Sequence, residues 1–178
     1  GVDFLKIDGQ FIKGIDTNLR NQDIVESIAS MAKKIGMQVV AEFVETKEEF
    51  KLDKLCGLIN QYQPYLAMIF CHTKQRVSNL VAELAQRGYL VDELHGDLSQ
   101  AKRNQVMRKF STAKLQILVA TDIAARGLDV EGVTHVFNYD IPHDVESYIH
   151  RIGRTARAGK GGVAISLCDI NERKDFEA

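Results

Sequence analysis

Apolar residues in this chain follow two rhythms that take turns along its length. Short, nearly unbroken apolar runs occur at 37–44, 66–71, 116–121, 133–139 and 163–168, and a more mixed run at 90–95. Runs of that length predict strands buried on both faces, as in a parallel sheet. Between them lie stretches with helical spacing. Ile24, Ile28, Met31, Ala32 and Ile35 form one stripe over residues 21–35, with Lys33 and Lys34 in the last turn and Gly36 after it. Phe50, Leu55, Leu58, Ile59 and Tyr62 predict a second helix with one apolar side. A third runs over 75–86 to Gly88. A fourth is capped by Ser99 and reaches Phe110, with Val106, Met107 and Phe110 inward. A fifth is capped by Asp144 and leads into Arg151, and a short one starts near Asn171. Asp3–Asp8 is a further β-like run with imperfect alternation. Strand and helix alternate throughout, which predicts a three-layer α/β/α sandwich on a mostly parallel sheet of about seven strands, folding as one domain.

Composition changes this picture little. The 178 residues are 45% hydrophobic and 26% charged, ordinary values for a globular domain. No apolar run approaches a membrane span, and the start has no basic region followed by an apolar core. Cys56, Cys71 and Cys168 are odd in number, far apart and in apolar contexts. They predict buried thiols rather than a disulfide framework or zinc site, and a reducing, cytoplasmic setting. The net charge of −1 hides an asymmetry: residues 1–50 carry −3 and residues 51–178 carry +2. Neither half is basic enough to predict nucleic-acid binding from charge alone, so such binding must come from local arrangement.

The local arrangements are specific. Arg151, Arg154 and Arg157 stand at i, i+3 and i+6 within His150-Arg151-Ile152-Gly153-Arg154-Thr155-Ala156-Arg157-Ala158-Gly159. Like charges so placed repel, so an anion should neutralise them, and the guanidinium fork suits phosphate. Three more blocks precede it: Ile69-Phe70-Cys71-His72-Thr73, then Gly96-Asp97-Leu98-Ser99-Gln100-Ala101-Lys102-Arg103, then Ala120-Thr121-Asp122-Ile123-Ala124-Ala125-Arg126-Gly127-Leu128-Asp129. In this order the four blocks resemble the second RecA-like lobe of a DEAD-box RNA helicase, from about residue 50 to 178. The resemblance implies a RecA/flavodoxin-like sheet. It implies RNA-phosphate contacts at Thr73, Gly96, Arg103 and Thr121, and nucleotide contacts at Gly127 and Asp129. Arg154 and Arg157 would reach ATP phosphates, one of them as an arginine finger. His150 would couple nucleotide to the other lobe, and Arg126 would organise its turn. The implied partner is single-stranded RNA, with no DNA specificity evident and no membrane.

Residues 1–48 carry a second resemblance. Leu5-Lys6-Ile7-Asp8, Ile24-Val25-Glu26-Ser27-Ile28 and Val39-Val40-Ala41-Glu42-Phe43-Val44-Glu45-Thr46 resemble part of an EAL domain, a TIM-barrel phosphodiesterase for cyclic di-GMP. The match is a βαβ fragment, about a quarter of that fold. It implies that Lys6 and Glu42 derive from the metal-dependent site, with Glu45 nearby. The Glu-Ala-Leu signature and the remaining metal carboxylates are absent from these residues, and Phe43 replaces a glycine. Two-metal hydrolysis needs several carboxylates, so Lys6, Asp8, Glu42 and Glu45 are read as structural.

The two resemblances meet between residues 44 and 54 with no Gly/Ser/Pro linker, which predicts a spliced chimera, engineered or recombined, sharing one sheet. The sequence contains neither Gly-x-x-x-x-Gly-Lys-Ser/Thr nor Asp-Glu-Ala-Asp. The expectation is therefore a protein without catalysis of its own and needing no cofactor. Weak binding of RNA backbone or nucleotide phosphate is expected to persist, with an ATP/Mg site completed only by a partner lobe. The alternatives are half of an RNA-dependent ATPase and, third, a remnant phosphodiesterase. Oligomeric state is left open.

Overall fold

Strands and helices alternate along one parallel sheet. A computed structural model describes residues 4–6, 23, 27, 38–39, 43–155 and 161–169. Strands β1 (Phe4–Lys6), β2 (Gln38–Val39) and β3 (Phe43–Thr46) come first. After a 3-10 turn at Glu48–Phe50 follow α1 (Lys51–Tyr62), β4 (Ala67–Phe70), α2 (Lys74–Gln86), β5 (Val91–Leu94) and α3 (Gln100–Ser111). The chain continues through β6 (Ile117–Ala120), α4 (Asp122–Ala125), β7 (His135–Asn138), α5 (Val145–Ile152) and β8 (Gly162–Asp169). The strand order is β2-β1-β8-β7-β4-β6-β5, with β3 also on β8, and every pairing is parallel. Eight strands are described where about seven were expected.

Alternation along the central strands builds two cores, one on each side of the sheet. Ala67 and Ile69 of β4, with Ile117 and Val119 of β6, meet Leu55, Leu58 and Ile59 of α1 and Val77, Leu80 and Leu84 of α2. The intervening residues Met68, Phe70, Leu118 and Ala120 face the other way, onto Val106 and Phe110 of α3. This two-sided burial is why these runs are apolar throughout. Cys56 and Cys71 are free and buried, as their contexts predict.

The N-terminal segment lies at the sheet edge, and here one expectation is corrected. Residues 37–44 do not form one strand. β1 and β3 share the outer edge of β8 at different heights: Leu5 and Lys6 pair with Gly162 and Val163, and Phe43–Thr46 pair with Ser166–Asp169. β2 lies beyond β1, opposite Phe4 and Leu5. β2 and β3 therefore occupy different lanes of the sheet; residues 40–42 lie outside the described residues. A second correction concerns Phe50. It belongs to the 3-10 turn and is 53% exposed, outside the apolar side of α1. Asp23 and Ser27 are helical. The remainder of the predicted 21–35 helix and the helix near Asn171 lie outside the described residues.

Candidate nucleic-acid interface

β4, β6 and β5 are adjacent in the sheet, and each hands its carboxyl end to a candidate residue. Thr73 follows β4, Thr121 follows β6 and Gly96 follows β5. Neighbouring strands lie about 4.8 Å apart, so the three turns sit side by side and form a rim. Backbone bonds lock its base: Cys71 N–H donates to Ala120 O at 3.0 Å and Thr121 N–H to Leu94 O at 3.3 Å. The chain returns from β6 across β4 to β7, which places the rim beside the reversal of strand order where open α/β sheets bind ligands.

Thr73 and Thr121 are both helix N-caps. Thr73 Oγ1 accepts from Arg76 N–H at 3.2 Å, and Thr121 Oγ1 accepts from Ala124 N–H at 3.4 Å. Gly96 is exposed and needs glycine for no internal reason: its φ is not left-handed, and an added Cβ would meet nothing within 4 Å. Arg103, half-buried on α3, donates from Nη2 to Ala124 O at 2.7 Å and so fastens the turn that carries Thr121. The turns bearing Thr73 and Gly96 are linked by the exposed Lys74–Asp97 ion pair at 2.5 Å.

The arginine block is not one phosphate-facing row. Arg151 is 1% exposed and wholly engaged inside the protein. Its Nε and Nη2 donate to the two Asp122 carboxylate oxygens at 2.6 and 2.8 Å. Its Nη1 donates to Asp140 O at 2.6 Å and to Asn138 Oδ1 at 3.2 Å. The guanidinium also lies 5.2 Å from the Phe70 ring centroid. The anion expected to neutralise this arginine is thus Asp122. Arg154 donates from Nε to His150 O at 3.2 Å and from Nη1 to Leu128 O, which ties it to the Gly127–Asp129 turn. Gly127 holds φ +72°, a conformation that favours glycine. Asp122, Arg126, His150 and Arg154 line one cleft with Phe70 at its base. Asp129 and His150 are exposed. Arg157 and Glu42 lie outside the described residues, and Lys6 is placed only as the last residue of β1.

A second polar cluster, unforeseen from the sequence, sits where the N-terminal segment joins the sheet. Asp140, 3% exposed, accepts from Arg76 Nη2 at 2.5 Å and Nε at 2.8 Å and from His72 N–H at 2.9 Å. Lys51, fully buried, stands 3.7 Å from Asp140 and 3.3 Å from Glu48. Glu48 Oε1 accepts from Arg76 at 2.8 Å, and Glu48 N–H donates to Asp169 at 2.6 Å. Burial alone would push the Asp140 carboxyl up, but Arg76, the His72 amide and Lys51 hold it below the usual range. Lys51 and Arg76 also lie over the Tyr139 ring, at 5.2 and 5.6 Å. Burial, followed by the Glu48 charge, pushes the Tyr139 hydroxyl up.

The sequence signal for both buried cations is periodicity. Lys51 precedes Leu55, Leu58 and Ile59 at the spacing of the buried stripe of α1, and Arg151 follows Tyr148 on that of α5. A charge on a buried stripe requires a partner. Among the described residues no group of three or more His, Cys, Asp or Glu could hold a metal, and no helix is long and apolar enough to cross a membrane.

Comparison with known proteins matches residues 50–159 to the helicase conserved C-terminal domain and residues 1–63 to the EAL domain. The ATP-dependent RNA helicase CshA of Listeria monocytogenes is 51% identical over 148 residues, which are 83% of this chain and 28% of that protein. The Bacillus subtilis DEAD-box helicase CshA is 46% identical over 154 residues, 86% of this chain and 31% of that protein. The chain thus spans under a third of these curated relatives. Among solved structures, the E. coli DEAD-box protein SrmB, bound to regulator of ribonuclease activity A, superposes with TM-score 0.70 at 38% identity, covering 74% of this chain and 78% of that one. Dbp5 of S. cerevisiae, bound to RNA and ADP BeF3, superposes at 0.69 with 29% identity, covering 85% of this chain and 44% of that one.

Proposed function

This chain belongs to the helicase conserved C-terminal domain family, and we propose that its strand-end rim is an RNA-backbone site, one half of an RNA-dependent ATPase that acts only beside a first RecA-like lobe. The observation that carries this reading is the alignment of Thr73, Thr121 and Gly96 on three adjacent strand ends. Small hydroxyls and an exposed amide contact phosphates without reading bases. Gly96 adds support, because nothing inside the protein requires a glycine there, whereas a closely approaching backbone or phosphate would. The cleft lined by Arg126, His150 and Arg154, together with Asp122, is the nucleotide-phosphate side of the same half-site. Phosphoryl transfer also needs a phosphate-cradling loop and a magnesium-holding acid. Neither motif occurs in these residues, so the chain by itself is expected to leave ATP intact.

The N-terminal segment is best read as a transplanted piece of an EAL-type barrel, so that the protein is a chimera of two parallel α/β folds. The match to the EAL domain at 1–63 overlaps the helicase match at 50–63, which supports a change of resemblance in this part of the chain. In this reading the segment contributes edge strands and no phosphodiesterase activity.

The experiment supplies a separately purified first RecA-like lobe from a DEAD-box helicase and measures ATP hydrolysis with and without single-stranded RNA. Hydrolysis stimulated by RNA and present only in the mixture supports the half-enzyme. No stimulation, from folded protein that nevertheless binds RNA, reduces the function to binding. Turnover of cyclic di-GMP with magnesium or manganese would overturn the reading of residues 1–48.

A further inference from the structure

Thr73 stands between two anchors that end on one carboxylate. The residue before it, His72, donates its backbone N–H to Asp140 Oδ2 at 2.9 Å. Three residues after it, Arg76 grips both Asp140 oxygens, Nε to Oδ2 at 2.8 Å and Nη2 to Oδ1 at 2.5 Å. Asp140 is itself placed by the sheet: its N–H and that of Tyr139 donate to Phe70 O, at 3.2 and 3.1 Å. The His72 ring adds a tie to the neighbouring carbonyl of Ile141. Asp140 is buried and His72 and Arg76 are half-buried, while Thr73 is exposed.

We infer that the Arg76–Asp140 ion pair is a positioning clamp for the Thr73 hydroxyl, setting the direction in which that hydroxyl meets an RNA phosphate. The inference rests on the RNA-backbone reading and deepens it. The link from clamp to hydroxyl is direct: the backbone N–H that Thr73 Oγ1 accepts, at 3.2 Å, belongs to Arg76. A hydroxyl oxygen that accepts from Arg76 N–H keeps its own proton to donate. The cap bond therefore fixes the oxygen and leaves the proton for a phosphate. Val77 N–H to Thr73 O, at 3.0 Å, closes the same turn. The bidentate grip matters, because two parallel bonds fix orientation as well as distance. Arg76 Nη2 also donates to Glu48 Oε1 at 2.8 Å, so the fork is closed inside the protein. A contact group held in place before its ligand arrives avoids the cost of ordering it on binding. The second hydroxyl of the rim is served alike: Arg103 donates to the carbonyl of Ala124, whose N–H donates to Thr121 Oγ1. Arg76 and Asp140 are thus internal structure that acts through Thr73.

The test is a double-mutant cycle read by anisotropy of a fluorescein-labelled oligouridine, titrated with the whole chain at several salt concentrations, each variant shown to be folded by its urea midpoint. Thr73→Val should weaken binding about tenfold, the scale of one hydrogen bond to a charged group. Arg76→Lys keeps the charge and loses the planar fork. Arg76→Lys and Arg76→Gln should each weaken binding about fivefold, and in the Thr73→Val protein either should add less than about twofold, because the hydroxyl they act through is gone. Salt supplies a second reading. The slope of log affinity against log salt should be unchanged in Arg76→Gln, since it counts phosphates neutralised by cations. Losses from Arg76 and Thr73 that multiply in full mean general destabilisation and overturn the inference. A slope shallower by about 0.9 in Arg76→Gln means that Arg76 touches a phosphate itself, and overturns it too. So does wild-type affinity in both Arg76 variants. In these three cases, with Thr73→Val still weakened, the RNA-backbone reading stands and the inference alone fails. If folded wild type binds no RNA, or Thr73→Val binds as the wild type does, the reading fails at this strand and takes the inference with it.

Discussion

The carboxyl edge of the sheet carries two polar regions of opposite character. Beside β3 and β7, Glu48, Lys51, Arg76 and Asp140 form a charged cluster closed on itself, with Lys51 and Asp140 buried and Glu48 and Arg76 reaching the surface. Beside β4, β6 and β5, Thr73, Thr121 and Gly96 form an open rim with no charge of its own. The difference separates structure from function. Charges removed from water must be satisfied internally, and here they join Glu48, just after β3, to Arg76 and Asp169. A rim of caps and exposed amides is stable without a ligand and still has polar groups to offer one.

The contrast breaks most visibly if Asp140 is removed. Asp140→Ala takes the shared carboxylate from Arg76 and Lys51 and the acceptor from His72 N–H; urea unfolding should show a loss of about 3–5 kcal/mol. A loss under ~1 kcal/mol would mean the cluster does not specify the fold. Arg151→Ala should cost about 3 kcal/mol by stranding Asp122. Arg151→Met with Asp122→Leu should recover only part of that, because it removes the stranded charge but leaves Asn138 Oδ1 and Asp140 O without their donor.

Acid should dissolve the cluster before the rim. The carboxyl of Asp140 is depressed in the folded state, so its contribution is complete above the unfolded value of about 3.9 and is lost as pH falls through the lower native value. The His72 imidazole is also depressed. A base depressed by folding favours the native state above its unfolded pKa, so stability should begin to fall as pH drops below about 6.5. Denaturation midpoints against pH should therefore decline in two stages, and His72→Phe should remove the first.

Smaller effects sharpen the rim side. Thr73→Val and Thr121→Val each remove an N-cap oxygen and should cost about 1 kcal/mol, with RNA affinity falling as well. Gly96→Ala should change stability by less than about 0.5 kcal/mol while weakening RNA binding, a split that marks a ligand contact. Equal loss of both would make Gly96 a structural residue.

The legible and the hidden parts of the molecule divide along the same line. Local chemistry was readable: Ser99 and Asp144 cap as their residue types predict, accepting from Lys102 N–H and Ser147 N–H, and the central strands fall within the apolar runs. The rim residues were readable as ordered motifs at strand ends. What escaped depends on distant partners. Arg151 looked like one of three phosphate-facing arginines, and its partner Asp122 lies 29 residues away. Lys51 drew no notice in the sequence, and α1 turns it inward onto Asp140. The split of residues 37–44 into β2 and β3 follows from two strands sharing one edge of β8, which no local pattern encodes. The family resemblance pointed to the candidate residues, and burial separates Arg151, closed inside the protein, from the exposed Thr73 and Gly96.

The most direct test of the rim as an RNA-backbone site is anisotropy of a labelled single-stranded RNA at two salt concentrations, with Arg103→Ala as the companion. Binding that weakens steeply with salt, as counterion release requires, and weakens again when Arg103 no longer fastens the Thr121 turn, is the predicted result. Folded protein that binds RNA at neither salt concentration would contradict the account and leave the helicase motifs as scaffold.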